Sequence, residues 1–247
     1  MRLFRLAAAA ALLACAHGPN RKERQAAEAH HDLGVEAMKA GRASDALREF
    51  EDSLRIDPGF AEAHRGRGLV LEFGHGRLAE AEREYRRALD LRSSYPEVHN
   101  DLGQLLAKTG RYEEALREFA MALDDTSYRE PFVARCNRGQ ALHAMGRREE
   151  GMAEIRACVS MAPRYCAGRR ELGRIHLAEG RLKEATEELS AYARLCDKVA
   201  DAHYQLGLAH MKGGDVGLAR ASFERCEQLG EGTPVGEDCR RSRELLQ

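Results

Sequence analysis

The chain has 247 residues, 43 % hydrophobic, 32 % charged and 6 % aromatic, with no Trp and a formal net charge of −1. Interspersed charge and sparse aromatics argue against nucleic-acid binding, and no Val/Ile-rich alternation is present to build a sheet. The composition is that of an all-α chain whose cores are filled by Ala and Leu.

In chain order, Met1 to Cys15 stands apart. Arg2 and Arg5 precede the apolar run Leu6 to Leu13, LAAAAALL, which is too short to span a bilayer but has the form of a secretory signal. The run ends in Leu12-Leu13-Ala14-Cys15, which resembles the lipobox of bacterial lipoproteins. That resemblance implies removal of residues 1–14 and lipidation of Cys15, and more than one acyl chain gives stable anchoring. Ala16 after the cysteine implies sorting to the outer membrane, with the protein facing the periplasm. An ordinary secretory signal with an incidental Cys15 is the alternative. Residues 15–26 read as lipidated cysteine plus tether, since Gly18, Pro19 and the charged run to Gln25 form a flexible spacer.

The best-formed stretch is Pro96 to Thr126, two amphipathic patterns separated by Thr109-Gly110-Arg111. Val98, Leu102, Leu105 and Leu106 make one helical face, and Tyr112, Ala115, Leu116, Phe119, Ala122 and Leu123 make the second. A glycine register recurs at Gly34, Gly68, Gly103, Gly139, Gly173 and Gly207, spaced by 34, 35, 36, 34 and 34 residues. A turn glycine follows in each copy, then a small residue (Ala46, Ala81, Ala115, Gly151, Ala185, Ala219). A larger apolar residue comes four positions later (Phe50, Tyr85, Phe119, Ile155, Leu189, Phe223). This pattern resembles the tetratricopeptide repeat. The resemblance implies a right-handed superhelical solenoid of six repeats over 27–230, at about 27–60, 61–95, 96–131, 132–165, 166–199 and 200–230. Residues 231–247 would follow as a cap, a loop to Gly236 and then a helix over 237–247 whose Cys239, Leu245 and Leu246 cover the last repeat.

Apart from Cys15, six cysteines remain, all in the C-terminal half. Cys136 and Cys158 straddle one hairpin turn, Cys166 and Cys196 the next, and Cys226 and Cys239 the link to the final helix. Residues equidistant from a turn lie level, so these pairs are candidate disulfides suited to an oxidising compartment. Fifteen connectivities are possible, and small buried thiols are the other reading. No CxxC, HExxH, GxSxG or phosphate loop occurs. His30, His64, His99 and His203 share one register, which favours packing over metal binding. No catalytic residue, metal or cofactor is expected; the chain reads as a binding protein, not an enzyme.

In tetratricopeptide repeats, set positions on the first helices line the concave face. Carried onto this sequence, those in the first three repeats are His31, Val35, Met38, Lys39, Arg65, Leu69, Glu72, Phe73, Asn100, Gln104 and Lys108. They suit an extended or amphipathic segment of a protein partner, with no small-molecule substrate, and nothing calls for more than a monomer. A lipobox, a short tether and little beyond the repeats resemble the type IV pilus pilotins. That resemblance implies binding of pilus secretin monomers and promotion of their insertion and multimerisation in the outer membrane. A scaffold for another envelope machine (peptidoglycan synthesis or outer-membrane protein assembly) and an accessory that presents substrate to a separate enzyme are the rival readings.

Overall fold

The computed structural model describes residues 18–246. Among them are thirteen α-helices and no strand. In chain order they are α1 Arg21–Lys39, α2 Ala43–Ile56, α3 Ala61–Leu69, α4 Leu78–Leu91, α5 Pro96–Lys108, α6 Tyr112–Asp124 and α7 Pro131–Ala144. Then come α8 Arg148–Met161, α9 Cys166–Ala178, α10 Leu182–Leu195, α11 Ala200–Gly213, α12 Val216–Leu229 and α13 Pro234–Glu244. The all-α expectation holds.

The chain divides between Arg129 and Glu130 into two compact units. In the first, α1/α2, α3/α4 and α5/α6 form hairpins, with α2 also packed on α3 and α4 on α5. In the second, α7/α8, α9/α10 and α11/α12 are the hairpins, and α13 packs on α12.

Each hairpin closes for a reason legible in its residues. The turn glycine takes the left-handed conformation in every copy, as at Gly110 (φ 80°) and Gly214 (φ 82°), where a Cβ would meet the following carbonyl. The second helix then lays its large residue over the register glycine of the first. Phe119 is fully buried, and a Cβ on Gly103 would sit 2.7 Å from its ring. Tyr85 over Gly68, Leu189 over Gly173 and Phe223 over Gly207 repeat the contact. Each such side chain contributes about 1.5–3 kcal/mol by leaving water, so a series of small cores replaces one large one.

Two boundaries and one capping residue differ from the sequence reading. The first helix begins at Arg21, inside the expected tether, because Asn20 and Glu23 form a capping box in which the Asn20 side chain accepts from the Lys22 and Glu23 amides. The last helix begins at Pro234, before the expected end of the loop; the Thr233 hydroxyl caps it and proline takes the first helical position. Leu246 joins the cluster around Phe223, Cys226 and Cys239, whereas Leu245, expected to cap the last repeat, is 81 % exposed. The sequence of the second repeat has one extra residue between its register and turn glycines, Gly68 to Gly76 against Gly103 to Gly110, and it is absorbed as a π-helical turn, Val70–Gly74, continuing α3.

Candidate protein-binding groove

The first helices of the first unit carry the candidate site. A groove of about 490 Å³ is lined by His31, Val35, Met38 and Lys39 of α1, Glu62, Arg65, Gly66 and Leu69 of α3, and Phe50 and Tyr95. Six of the eleven sequence-predicted contact residues thus meet in one concavity. The lining is mainly apolar because positions four apart on α1 and α3 turn the same way. His31 packs against the rings of Phe50 (5.7 Å) and Phe60 (5.3 Å) at one wall.

Beside the groove runs a buried polar seam. Arg65 Nε donates to Asp101 Oδ2 at 2.7 Å, and the Tyr85 hydroxyl donates to Glu72 at 3.1 Å. Lys108 Nζ stands 3.6 Å from Glu72. Burial pushes the Asp101 carboxyl above the ordinary carboxylate range against the pull of Arg65. Burial does the same to Glu72, opposed by Tyr85 and Lys108. The Arg65 guanidinium is itself held charged by Asp101 although burial opposes it. Breaking one side of such a pair strands the other charge, so Arg65 is fixed in place at the groove wall.

Two predicted contact residues are corrected by this seam. Glu72 is 2 % exposed and Asn100 6 %, so neither presents a surface. Glu72 lies within the π turn and engages Tyr85 and Lys108; Asn100 is tied to Asp101. Phe73, by contrast, is 61 % exposed, with Lys108 Nζ 5.4 Å from its ring centre. Gln104 and Lys108 are exposed on α5.

The repeated histidines are clamps. His64 joins Glu84 (2.7 Å) on the partner helix and the Pro58 carbonyl (3.1 Å) in the preceding turn. His99 does the same with Glu118 (2.7 Å) and the Ser93 carbonyl (3.0 Å). Arg169 fills the register in a later hairpin, reaching Glu188 and the Pro163 carbonyl. His30, Glu49 and Asp52 bring three potential metal-ligand atoms within 4.8 Å, but the His30–Glu49 pair at 2.8 Å is this same clamp.

In the second unit, Cys136–Cys158, Cys166–Cys196 and Cys226–Cys239 are bonded, with Cα separations of 5.4, 6.4 and 6.0 Å. These are the pairs that straddle the turns. Cys15, the expected lipidation site, lies outside the described residues, as do residues 1–14. No described helix is long and apolar enough to cross a membrane.

Stacked helical hairpins with an apolar groove on their first helices define a repeat scaffold. Models described as tetratricopeptide repeat match residues 31–96 and 71–130 and residues 133–165 and 200–229, more than half the chain, and the chain belongs to that family. Among curated proteins it is 23 % identical over 215 residues to DnaJ homolog subfamily C member 3 of Rattus norvegicus, covering 82 % of this chain and 42 % of that protein. It is 34 % identical over 107 residues to the type IV pilus assembly protein PilF of Pseudomonas aeruginosa, covering 43 % of this chain and 42 % of PilF. These matches span less than half the length of either relative. Among solved structures, PilW, a widely conserved type IV pilus biogenesis factor, superposes with a TM-score of 0.75 at 21 % identity, over 87 % of this chain and 98 % of PilW. Pseudomonas aeruginosa PilF gives 0.71 at 21 %, over 90 % and 99 %. At such identities the likeness is one of fold.

Proposed function

We propose that this chain is an outer-membrane lipoprotein pilotin, anchored through Cys15 and facing the periplasm. It binds type IV pilus secretin monomers through its repeats and promotes their insertion and multimerisation for pilus assembly. On this reading six repeats occupy residues 27–230 and residues 231–247 cap them. The contact surface is the groove of His31, Val35, Met38, Lys39, Arg65 and Leu69, with Phe73, Gln104 and Lys108 beside it. The observation that carries the proposal is the 34 % identity to a type IV pilus assembly protein, joined to the apolar groove on the first helices. Three disulfides fit an oxidising compartment, and the lipobox-like Leu12-Leu13-Ala14-Cys15 fits a lipid anchor. An apolar concavity of this size suits an amphipathic segment of a protein better than a catalytic reaction.

The test is a comparison of detergent-resistant secretin multimers in membranes of wild-type, deletion and Cys15→Ala cells. Loss of multimer with persistence of monomer in the deletion supports the proposal, and loss in Cys15→Ala as well assigns a role to the anchor. Normal multimers without the protein would refute it and move the envelope-scaffold reading forward.

A further inference from the structure

The apolar groove adjoins a second concavity of different chemistry. This second pocket, about 400 Å³, is lined by Arg65, Arg92 and Arg129, with Ser94, Tyr95, Glu97 and Ser127 among its other residues. Arg65 and Tyr95 belong to both pockets, so an apolar and a guanidinium-lined concavity adjoin at that pair. The cations are prepared to different degrees. Arg65 is fixed by Asp101. Arg92 lies 3.4 Å from the centre of the Tyr95 ring and is held by Glu62 at 2.8 Å. Arg129 is exposed and has no hydrogen-bond or ion-pair partner among the described residues. The lining of the second pocket sets Glu97 against the three arginines. Asp101 and Glu62 already hold Arg65 and Arg92, so Arg129 is the cation left for a ligand.

We propose that the occupant of these two adjoining pockets is an extended protein segment in which an aliphatic side chain is followed, within a few residues, by an acidic one. The aliphatic group sits among Val35, Met38 and Leu69. The carboxylate accepts from Arg129, with Arg65 and Arg92 as the pre-oriented cations beside it. Planar guanidinium groups give carboxylates paired, charge-assisted hydrogen bonds, and complementarity of this kind decides which segment is chosen. The inference rests on the reading that the α1/α3/α5 groove holds a partner segment; it adds which segment.

A random peptide display selected on the full chain tests it, followed by affinity measurements on the recovered peptides. The expected result is enrichment of peptides with an acidic residue up to four positions after an aliphatic one. Acid-to-amide replacement in the peptide should then weaken binding about tenfold, the scale of one charge-assisted contact. Arg129→Glu should weaken it equally, without a further loss when both changes are combined, and should favour a peptide whose acid is replaced by lysine. Absence of acidic enrichment, failure to select any peptide, or changes below twofold in the Arg129→Glu and amide variants would overturn the inference. The secretin multimer assay is independent of this selection: loss of the pilotin reading with the acidic preference intact would leave the groove chemistry standing and change only the partner.

Discussion

Gly151 shows how a residue can look like a defect in a pattern and be a requirement of its site. Every other hairpin has alanine at this position. In the fourth, a Cβ on Gly151 would sit 2.7 Å from the Gly139 carbonyl oxygen and 2.9 Å from the His143 amide nitrogen, both backbone atoms. Ile155 replaces the aromatic residue there, and the two helices approach backbone to backbone. Restoring the pattern with Gly151→Ala is therefore expected to destabilise the second unit by about 1–3 kcal/mol, read as a lower denaturation midpoint at unchanged slope. His99 supplies a second prediction at this scale. Both its ring nitrogens face acceptors, Glu118 and the Ser93 carbonyl. Burial, the largest single influence, works against the charged ring, yet the bonds to Glu118 and the Ser93 carbonyl and the charges of Glu118 and Asp125 together outweigh it and raise the His99 pKa. A raised folded value means that the stabilisation is complete below the unfolded value near 6.5 and is lost as pH rises through the folded value. Amide-exchange protection of α5 and α6 should fall as pH rises above about 6.5. His99→Arg, which copies Arg169, should remove the pH dependence while keeping the clamp.

At the scale of the element, the caps make the sharpest prediction. The α1 start depends on Asn20 accepting from two amides while Glu23 returns a bond to the Asn20 amide. Asn20→Ala should cost about 1 kcal/mol, expressed as faster amide exchange in the first turn of α1 rather than as global unfolding. The signal, Asn-x-x-Glu ahead of an apolar pattern, was present in the sequence, but the surrounding charges read as solvated tether. The π turn is the opposite case. An extra residue before His75 was legible, but its consequence was not. One added residue must shift every side chain beyond it around the helix or be absorbed locally. Packing of α3 against α2 and α4 enforces local absorption, which leaves Glu72 inside beside Tyr85 and Phe73 outside.

For the whole molecule, the uneven distribution of cysteines makes the two units respond differently to reductant. Bridges of sequence separation 22, 30 and 13 all fall in the second unit. In the chain-entropy model each removes about 3 kcal/mol of freedom from the unfolded chain. Reduction should accelerate amide exchange after Glu130 and leave α1 to α6 unchanged. Equal loss of protection in both units would refute a stabilising role confined to the second. The groove lies in the unit whose described residues carry no bridge, held instead by its glycine-to-aromatic contacts and His–Glu clamps.

The repeat was legible because its causes are local and recur: a glycine in the left-handed turn, a glycine under a large apolar side chain, a small residue where helices touch. Six copies of that arithmetic fix the fold class, the register and the faces of the helices, and with them six groove residues. Tertiary structure alone decided what each face met. It drew Glu72 and Asn100 out of the contact surface, because the π turn sets Glu72 against the Tyr85 hydroxyl and the buried Asp101 takes up Asn100. It exposed Leu245 and half-buried Leu246, because only one of two adjacent side chains can face the cluster of Phe223, Cys226 and Cys239. It also joined Arg65, Arg92 and Arg129 around one pocket from three separate stretches of chain, since periodicity specifies which way a side chain points but not what stands opposite it.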